Sequence, residues 1–250
     1  MSRFPGAIRA FASVLLLLCL ALPLGADVTY YHMTFDQLRP VAGGFEERGK
    51  RYPFRRDGGG AALATRRDAR IGSTVLVLKT DPTPPGADRD RAEVQIHSGI
   101  SWRRDWVASL RFRIPDHTSV VADWQTLMQC PQVGNDLPPP ISVDLEPDGR
   151  ISLVVRSERD VHEIIWSAPL PRGRWSTLAL GFRMGADGRA RLWLDGRKMV
   201  DVRLPLGWVE AEELCVLKTG IYRAPSPNPF ELHLDDVTLG DSYTGTRLPK

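Results

Sequence analysis

RWSTLALGFRMGADGRARLWLDGRKMV, residues 174–200, holds three alternating apolar and polar runs separated by two Asp-Gly turn signals, ADGR (186–189) and DGRK (195–198). A two-residue hairpin turn of type I′ needs positive φ at both central positions. Gly adopts it freely, and Asp tolerates it better than most residues. Two such turns so close together leave room only for strands, so the stretch predicts three antiparallel strands in succession. Outward from it the pattern repeats in STVLVLK (73–79), WVASLRFRI (106–114), ISVDLEP (141–147), ISLVVRS (151–157) and ELHLDDVTL (231–239), with a further turn at PDGR (147–150). No window sustains a helical period beyond about two turns. Many evenly spaced strands without helices predict an all-β sandwich or barrel. The Pro- and Gly-rich patches DPTPPGAD (81–88), NDLPPP (135–140) and APSPNP (224–229) read as loops, and no linker or repeat divides the chain. One domain over residues 27–250 is expected.

Alternation also assigns faces. In residues 106–114, Ala108, Leu110, Phe112 and Ile114 share one side and Ser109, Arg111 and Arg113 the other. The first side packs a core and the second decorates a sheet surface.

The N-terminal stretch has the three parts of a secretory signal. Arg3 and Arg9 are positive, Phe11 to Leu22 are apolar, and Gly25 and Ala26 offer small residues before Asp27. The apolar run is short for a bilayer span, so residues 1–26 read as a signal peptide that includes Cys19. A secreted or periplasmic protein follows, with a Gram-negative style of export and no membrane attachment after cleavage. The formal net charge is +3, and two of the positive residues fall in this leader. The remaining arginines are scattered in pairs rather than in a dense basic stripe, which argues against nucleic acid. They suffice to recognise carboxylates. Beyond the leader only Cys130 and Cys215 remain. Either they form one disulfide in an oxidising compartment or they are two buried thiols.

Three segments carry polar residues at period two, which gathers side chains on one strand face. In RAEVQIH, Arg91, Glu93, Gln95 and His97 alternate with Ala92, Val94 and Ile96; in WQTLMQ, Gln125 and Gln129 fall together; in VLKTGIYR, Lys218, Gly220 and Tyr222 line up. Gly220 between Lys218 and Tyr222 reads as a gap where a ligand ring approaches the backbone. Singly, each set is an ordinary exposed strand face or a surface ion pair.

The stretch CVLKTGIYRAPSPNPFELHLDDVTLGDSY (215–243) resembles the closing segment of polysaccharide lyases of the heparin lyase I and glucuronan lyase type, with a K-x-G-x-Y strand, a loop, and a strand bearing Asp-Asp. The signals before it come in the family's order: Arg91-x-Glu93, the glutamine strand, then the hairpins that end in WLDG. The resemblance implies a concanavalin-like β-jelly-roll sandwich of two antiparallel sheets, whose concave face takes an acidic polysaccharide. It implies β-elimination at a 4-linked uronate. Arg91 and Gln129 would neutralise the carboxylate, Tyr222 would act at the glycosidic oxygen as acid and also as base, and Lys218 would favour its phenolate by nearby positive charge. Glu93, Gln125, Arg111, Arg113 and Arg223 are the substrate-binding candidates. A disulfide between Cys130 and Cys215 would pin the floor of this site if the two strands are neighbours. No cofactor is implied; a structural Ca²⁺ is compatible with such sandwiches, though no His/Cys cluster or EF-hand loop calls for one. A monomer is expected.

One departure stands out. Where the family has a histidine two residues after the glutamine, this chain reads Gln129-Cys130-Pro131. Tyr222 then serves as both base and acid, His97 reaches in from its strand, or the site is degenerate. His32, His117, His162 and His233 have less claim. A degenerate site would make the protein a sugar-binding module using Trp102, Trp106 or Trp124. A jelly-roll glycoside hydrolase would need a pair of carboxylates, for which Asp144-x-Glu146 is the nearest match.

Overall fold

The computed structural model describes residues 28–58, 60–156, 161–208, 213–246 and 248. The signal peptide read at residues 1–26 lies outside the described residues.

The chain forms strands β1 (Thr29–Met33), β2 (Arg39–Val41), β3 (Gly44–Glu47), β4 (Lys50–Asp57), β5 (Ala62–Asp68), β6 (Ser73–Thr80), β7 (Asp90–Ser101), β8 (Trp106–Arg113) and β9 (Gln125–Gln129). They continue as β10 (Ile141–Leu145), β11 (Arg150–Val155), β12 (Glu163–Pro169), β13 (Ser176–Arg183), β14 (Arg189–Leu194), β15 (Arg197–Arg203), β16 (Leu214–Arg223) and β17 (Phe230–Gly240), then the single turn α1 (Tyr243–Thr246). Two antiparallel sheets result. Sheet I runs β15-β14-β13-β8-β17-β6-β5, with β1 also paired to β17; sheet II runs β12-β11-β10-β9-β16-β7-β4-β3-β2. The two-sheet sandwich is the expected architecture, and β13, β14 and β15 are the consecutive strands that residues 174–200 predict. At the tight turn between β14 and β15, Asp195 has φ 49° and Gly196 φ 79°, the conformation that an Asp-Gly pair accepts with least strain.

The core lies between the sheets. Leu110 and Phe112 of β8 and Leu180 and Phe182 of β13 reach it from sheet I; Ala92 and Val94 of β7 and Val143 of β10 meet them from sheet II. Leu110, Phe112, Leu180 and Phe182 are fully buried, and each such side chain stabilises the fold by roughly 1.5–3 kcal/mol relative to exposure. Among the described residues no helix is long and apolar enough to cross a membrane.

Cys130 and Cys215 are bonded, with Cα atoms 5.5 Å apart across a separation of 85 residues. Cys215 is part of β16, and Cys130 directly follows β9. The disulfide therefore ties two neighbouring strands of sheet II, at the end of β9 and the start of β16.

Candidate active site

Strand β16 runs between β7 and β9, so the three polar segments of the sequence become adjacent. Lys218 is paired with Gln95 on one side and Gln129 on the other; Gly220 faces Glu93; Tyr222 faces Arg91 and Thr126. Ala92 and Val94 go into the core, which puts Arg91, Glu93 and Gln95 on the outer face of sheet II with Lys218 and Tyr222. Strand β4 extends the same face, with Arg55 opposite Glu93 and Asp57 opposite Arg91.

Glu93 sits at the centre, 1% exposed. Gln129 Nε2 donates to Glu93 Oε1 at 2.5 Å, and Arg91 Nε lies 3.5 Å from Glu93 Oε2 and 3.1 Å from Asp57 Oδ2. The Arg91 guanidinium covers the Tyr222 ring at 4.2 Å, and Trp124 meets that ring edge-on at 4.8 Å. Burial pushes the Glu93 carboxyl up from its ordinary range, against the pull of Gln129, Lys218 and Arg91. Burial likewise draws the Lys218 ammonium down, opposed by Glu93. Arg89 lies beside Tyr222, and this contact is the main reason its guanidinium is held above the usual arginine range. One phenol is thus flanked by Arg91, Arg89 and the Trp124 indole, with Lys218 and the Gln129 amide further along the same face. Such a group of donors and cations is suited to an anion that reacts next to a proton-transferring hydroxyl.

The family model for polysaccharide lyases matches residues 51–238. The chain belongs to the polysaccharide lyase family. Solved structures share its fold at low identity. The endo-β-1,4-glucuronan lyase of the fungus Trichoderma reesei superposes with a TM-score of 0.66 at 13% identity, covering 88% of this chain and 98% of that one. The alginate lyase vAL-1 from Chlorella virus gives 0.55 at 11%, covering 74% and 92%, and the alginate lyase AlyC3 gives 0.52 at 16%, covering 70% and 77%. Nothing among curated proteins matches by sequence.

The lyase fold brings together Arg91, Glu93, Gln129, Lys218 and Tyr222. It places the other sequence candidates elsewhere. His97 is diverted by a bulge: Lys218 pairs with Gln95 but Leu217 pairs with His97, leaving Ile96 as the extra residue on β7. Because Leu217 is a core residue, His97 turns with it to the inner side. There its Nδ1 meets the Tyr31 hydroxyl at 3.2 Å and its ring packs 6.1 Å from Trp106 of sheet I. Burial and the Lys50 charge hold its pKa down. Gln125 is displaced by a second irregularity. Tyr222 pairs with Thr126 and Arg223 with Gln125, so Thr126 takes the outer position and Gln125 is buried beside Arg223.

Arg223 faces inward as well. It is 0% exposed, its Nη2 is 3.0 Å from Asp90 Oδ2, and Nη2 also donates to the Asn228 carbonyl at 2.8 Å. It anchors the loops at 81–88 and 224–229 rather than a ligand. Arg111 and Arg113 are surface residues as expected, but of sheet I. Arg111 Nη1 lies 3.3 Å from Asp236 Oδ2, and Arg113 Nε donates to the Gly173 carbonyl at 3.1 Å. Gly220 has φ 142°, and a Cβ there would come within 2.3 Å of the Ala92 carbonyl. The neighbouring strand, not a ligand ring, requires this glycine.

Several members of the site were not among the sequence candidates. Asp57 and Arg55 come from β4, which the sequence reading did not connect to this face, and Arg89 precedes its strand. Beyond Thr126 the polar floor continues through Asp144, which accepts from Thr126 Oγ1 at 2.9 Å and lies 3.5 Å from Arg156 Nη2. Arg156 reaches His162 Nδ1 at 3.3 Å. Asp144 is committed to these partners and Glu146 to Ser152, so this pair belongs to the floor of a lyase site rather than to a hydrolase's acid and base. Among the described residues no group of three or more His, Cys, Asp or Glu is arranged to hold a metal.

Proposed function

We propose that this lyase cleaves a 4-linked polyuronate by β-elimination on the outer face of sheet II. The observation that carries the reading is the register of β16. It sets Tyr222 against Arg91, and Lys218 against Gln129, around one patch. The solved neighbours named as glucuronan and alginate lyases support a uronate substrate.

Arg91 and the Gln129 amide would bind the substrate carboxylate and stabilise the charge that builds there as the C5 proton leaves. Tyr222 would take that proton through its phenolic oxygen, acting as the base. The electron pair from C5–H forms the C4=C5 double bond, the C4–O4 bond breaks, and Tyr222 returns its proton to the departing O4. No water is consumed. With Pro131 in the histidine's place and His97 on the inner side, one phenol serves at both steps. It can do so only where H5 and O4 leave from the same side of the ring. Glucuronate and mannuronate meet that condition and guluronate does not. Export belongs to the same proposal, because the Cys130–Cys215 bond suits an oxidising compartment.

The test is ultraviolet absorbance during incubation with poly-glucuronate, poly-mannuronate and poly-guluronate, because elimination creates a conjugated, absorbing uronate. A rise on one of the first two and none on the third is the expected result. A rise on poly-guluronate alone would overturn the single-phenol scheme, and reducing ends appearing without absorbance would overturn elimination itself.

A further inference from the structure

A well-formed hollow lies away from this site. It lies on the outer face of sheet I, on the opposite side of the sandwich, and has a volume of about 670 Å³. Its walls are aromatic. Trp175 stands on one side, held by a hydrogen bond from Nε1 to Asp68 Oδ2 at 3.3 Å. On the other, Tyr243 of α1 lies flat on Trp193 of β14, with centroids 4.5 Å apart and planes 2° from parallel. The floor is made of small residues of β8 and β13, Ser109 and Thr177 among them, and two guanidinium groups, Arg70 and Arg111, stand in the lining.

We propose that this cavity is a second saccharide-binding site that holds a short run of uronate residues away from the catalytic face. The volume lies within the range of about 300–1,000 Å³ typical of small-ligand pockets. Trp175 and Tyr243 are half-buried, and such rings offer the apolar surface on which the C–H face of a pyranose stacks, with hydroxyl groups of the floor for its edges. A guanidinium fork matches a carboxylate in shape and charge. Arg70 lines the cavity and is exposed, and its Nη1 donates to the Gly173 carbonyl at 3.3 Å. Arg111 is already paired with Asp236, which leaves Arg70 as the cation that answers a ligand's charge. The choice of a uronate over a neutral sugar rests on the reading of the catalytic face. A polymer long enough to reach both faces, or two neighbouring chains of one polymer, would be held at two points, which raises local concentration at the catalytic face.

The experiment counts binding sites by titration calorimetry with a glucuronate or mannuronate trimer, using full-length chain carrying Tyr222→Phe so that the probe is not consumed. Two sites per chain are expected, falling to one in Tyr222→Phe combined with Trp175→Ala or with Arg70→Glu. The exposed Arg70→Glu keeps the test valid if Trp175→Ala misfolds. With Tyr222 intact, Arg70→Glu should leave turnover of the trimer unchanged and lower kcat/KM on dilute long polymer by about tenfold. A single site that Arg70→Glu leaves intact would overturn the proposal, as would equal binding of a neutral cellotriose. Absorbance with only one site would sink this inference alone. Trp175-dependent binding without absorbance on any polyuronate would sink the elimination reading alone.

Discussion

Replacing Arg223 with Met separates two assignments of that residue. The sequence suggests a substrate-binding arginine beside Tyr222, whereas the structure shows a fully buried guanidinium bonded to a fully buried Asp90 carboxylate. Asp90 Oδ2 also accepts from Thr83 Oγ1 at 2.6 Å, so removing Arg223 leaves a buried anion with a single hydroxyl for company and takes a donor from the carbonyls of Asp81 and Asn228. Breaking one side of such a pair costs about 3–5 kcal/mol, out of a total stability of about 5–15 kcal/mol. For a domain of this size that is a fall in Tm of about 10 °C. The double variant Asp90→Asn with Arg223→Met removes the orphaned charge while keeping an acceptor for Thr83, and should recover about half of the loss. Urea denaturation of the three proteins measures both numbers, and kcat and KM at a temperature where all are folded should be unchanged. An Arg223→Met protein as stable as the parent but with KM raised tenfold or more would refute the inward assignment.

Other expectations follow from the same structure. Changing His97 to Gln should leave kcat within about threefold, far from the 10²–10⁴ lost with a proton-transferring group, while removing its contact with Tyr31; a loss of a hundredfold measured on a polyuronate would return His97 to the chemistry. Changing Cys130 and Cys215 together to Ala opens a link between residues 85 apart, worth about 4–5 kcal/mol in the chain-entropy account; denaturation midpoints check this, and no change would mean that the bond adds nothing. Asp235 is held up from 3.8 to about 6, chiefly by burial. Its ionisation therefore weakens the fold as pH rises from about 4 to 6, by roughly 3 kcal/mol once complete. Asp235→Asn should be more stable than the parent at pH 8 by up to that amount and no more stable below pH 4, as urea denaturation at both pH values would show.

Local pattern and chain register differ in what they reveal. Asp195-Gly196 announced its turn because the backbone there needs positive φ at two successive residues, and the alternation of β7, β8 and β16 marked core-facing side chains correctly. Period two gives which residues share a face only while the strand stays regular. Ile96 breaks that rule in β7 and carries His97 inside; the irregularity between β9 and β16 does the same to Gln125. Ile96 bears no mark that would distinguish it from an ordinary apolar position, whereas the second irregularity contains Gly220, whose positive φ the sequence alone leaves open to a different reading. Arg111 and Arg113 show a further limit: alternation identified them as surface residues, but nothing local says which sheet's surface. Asp57 and Arg55 joined the site through long-range pairing of β4 with β7, and Arg89 through its side-chain contact with Tyr222. The resemblance motifs supplied the rest, since Lys218-x-Gly220-x-Tyr222 and Arg91-x-Glu93 arrive on one patch as the family's order implies.

The central claim is that Tyr222 performs both proton transfers of an elimination. It is tested most directly by following ultraviolet absorbance on the polyuronate that the wild-type protein cuts, with Tyr222→Phe at saturating substrate and with binding measured in parallel. The account predicts a kcat lowered by about 10²–10⁴ with affinity for the polymer within a few-fold of wild type. A Tyr222→Phe protein that still generates the unsaturated uronate at near wild-type kcat would contradict it.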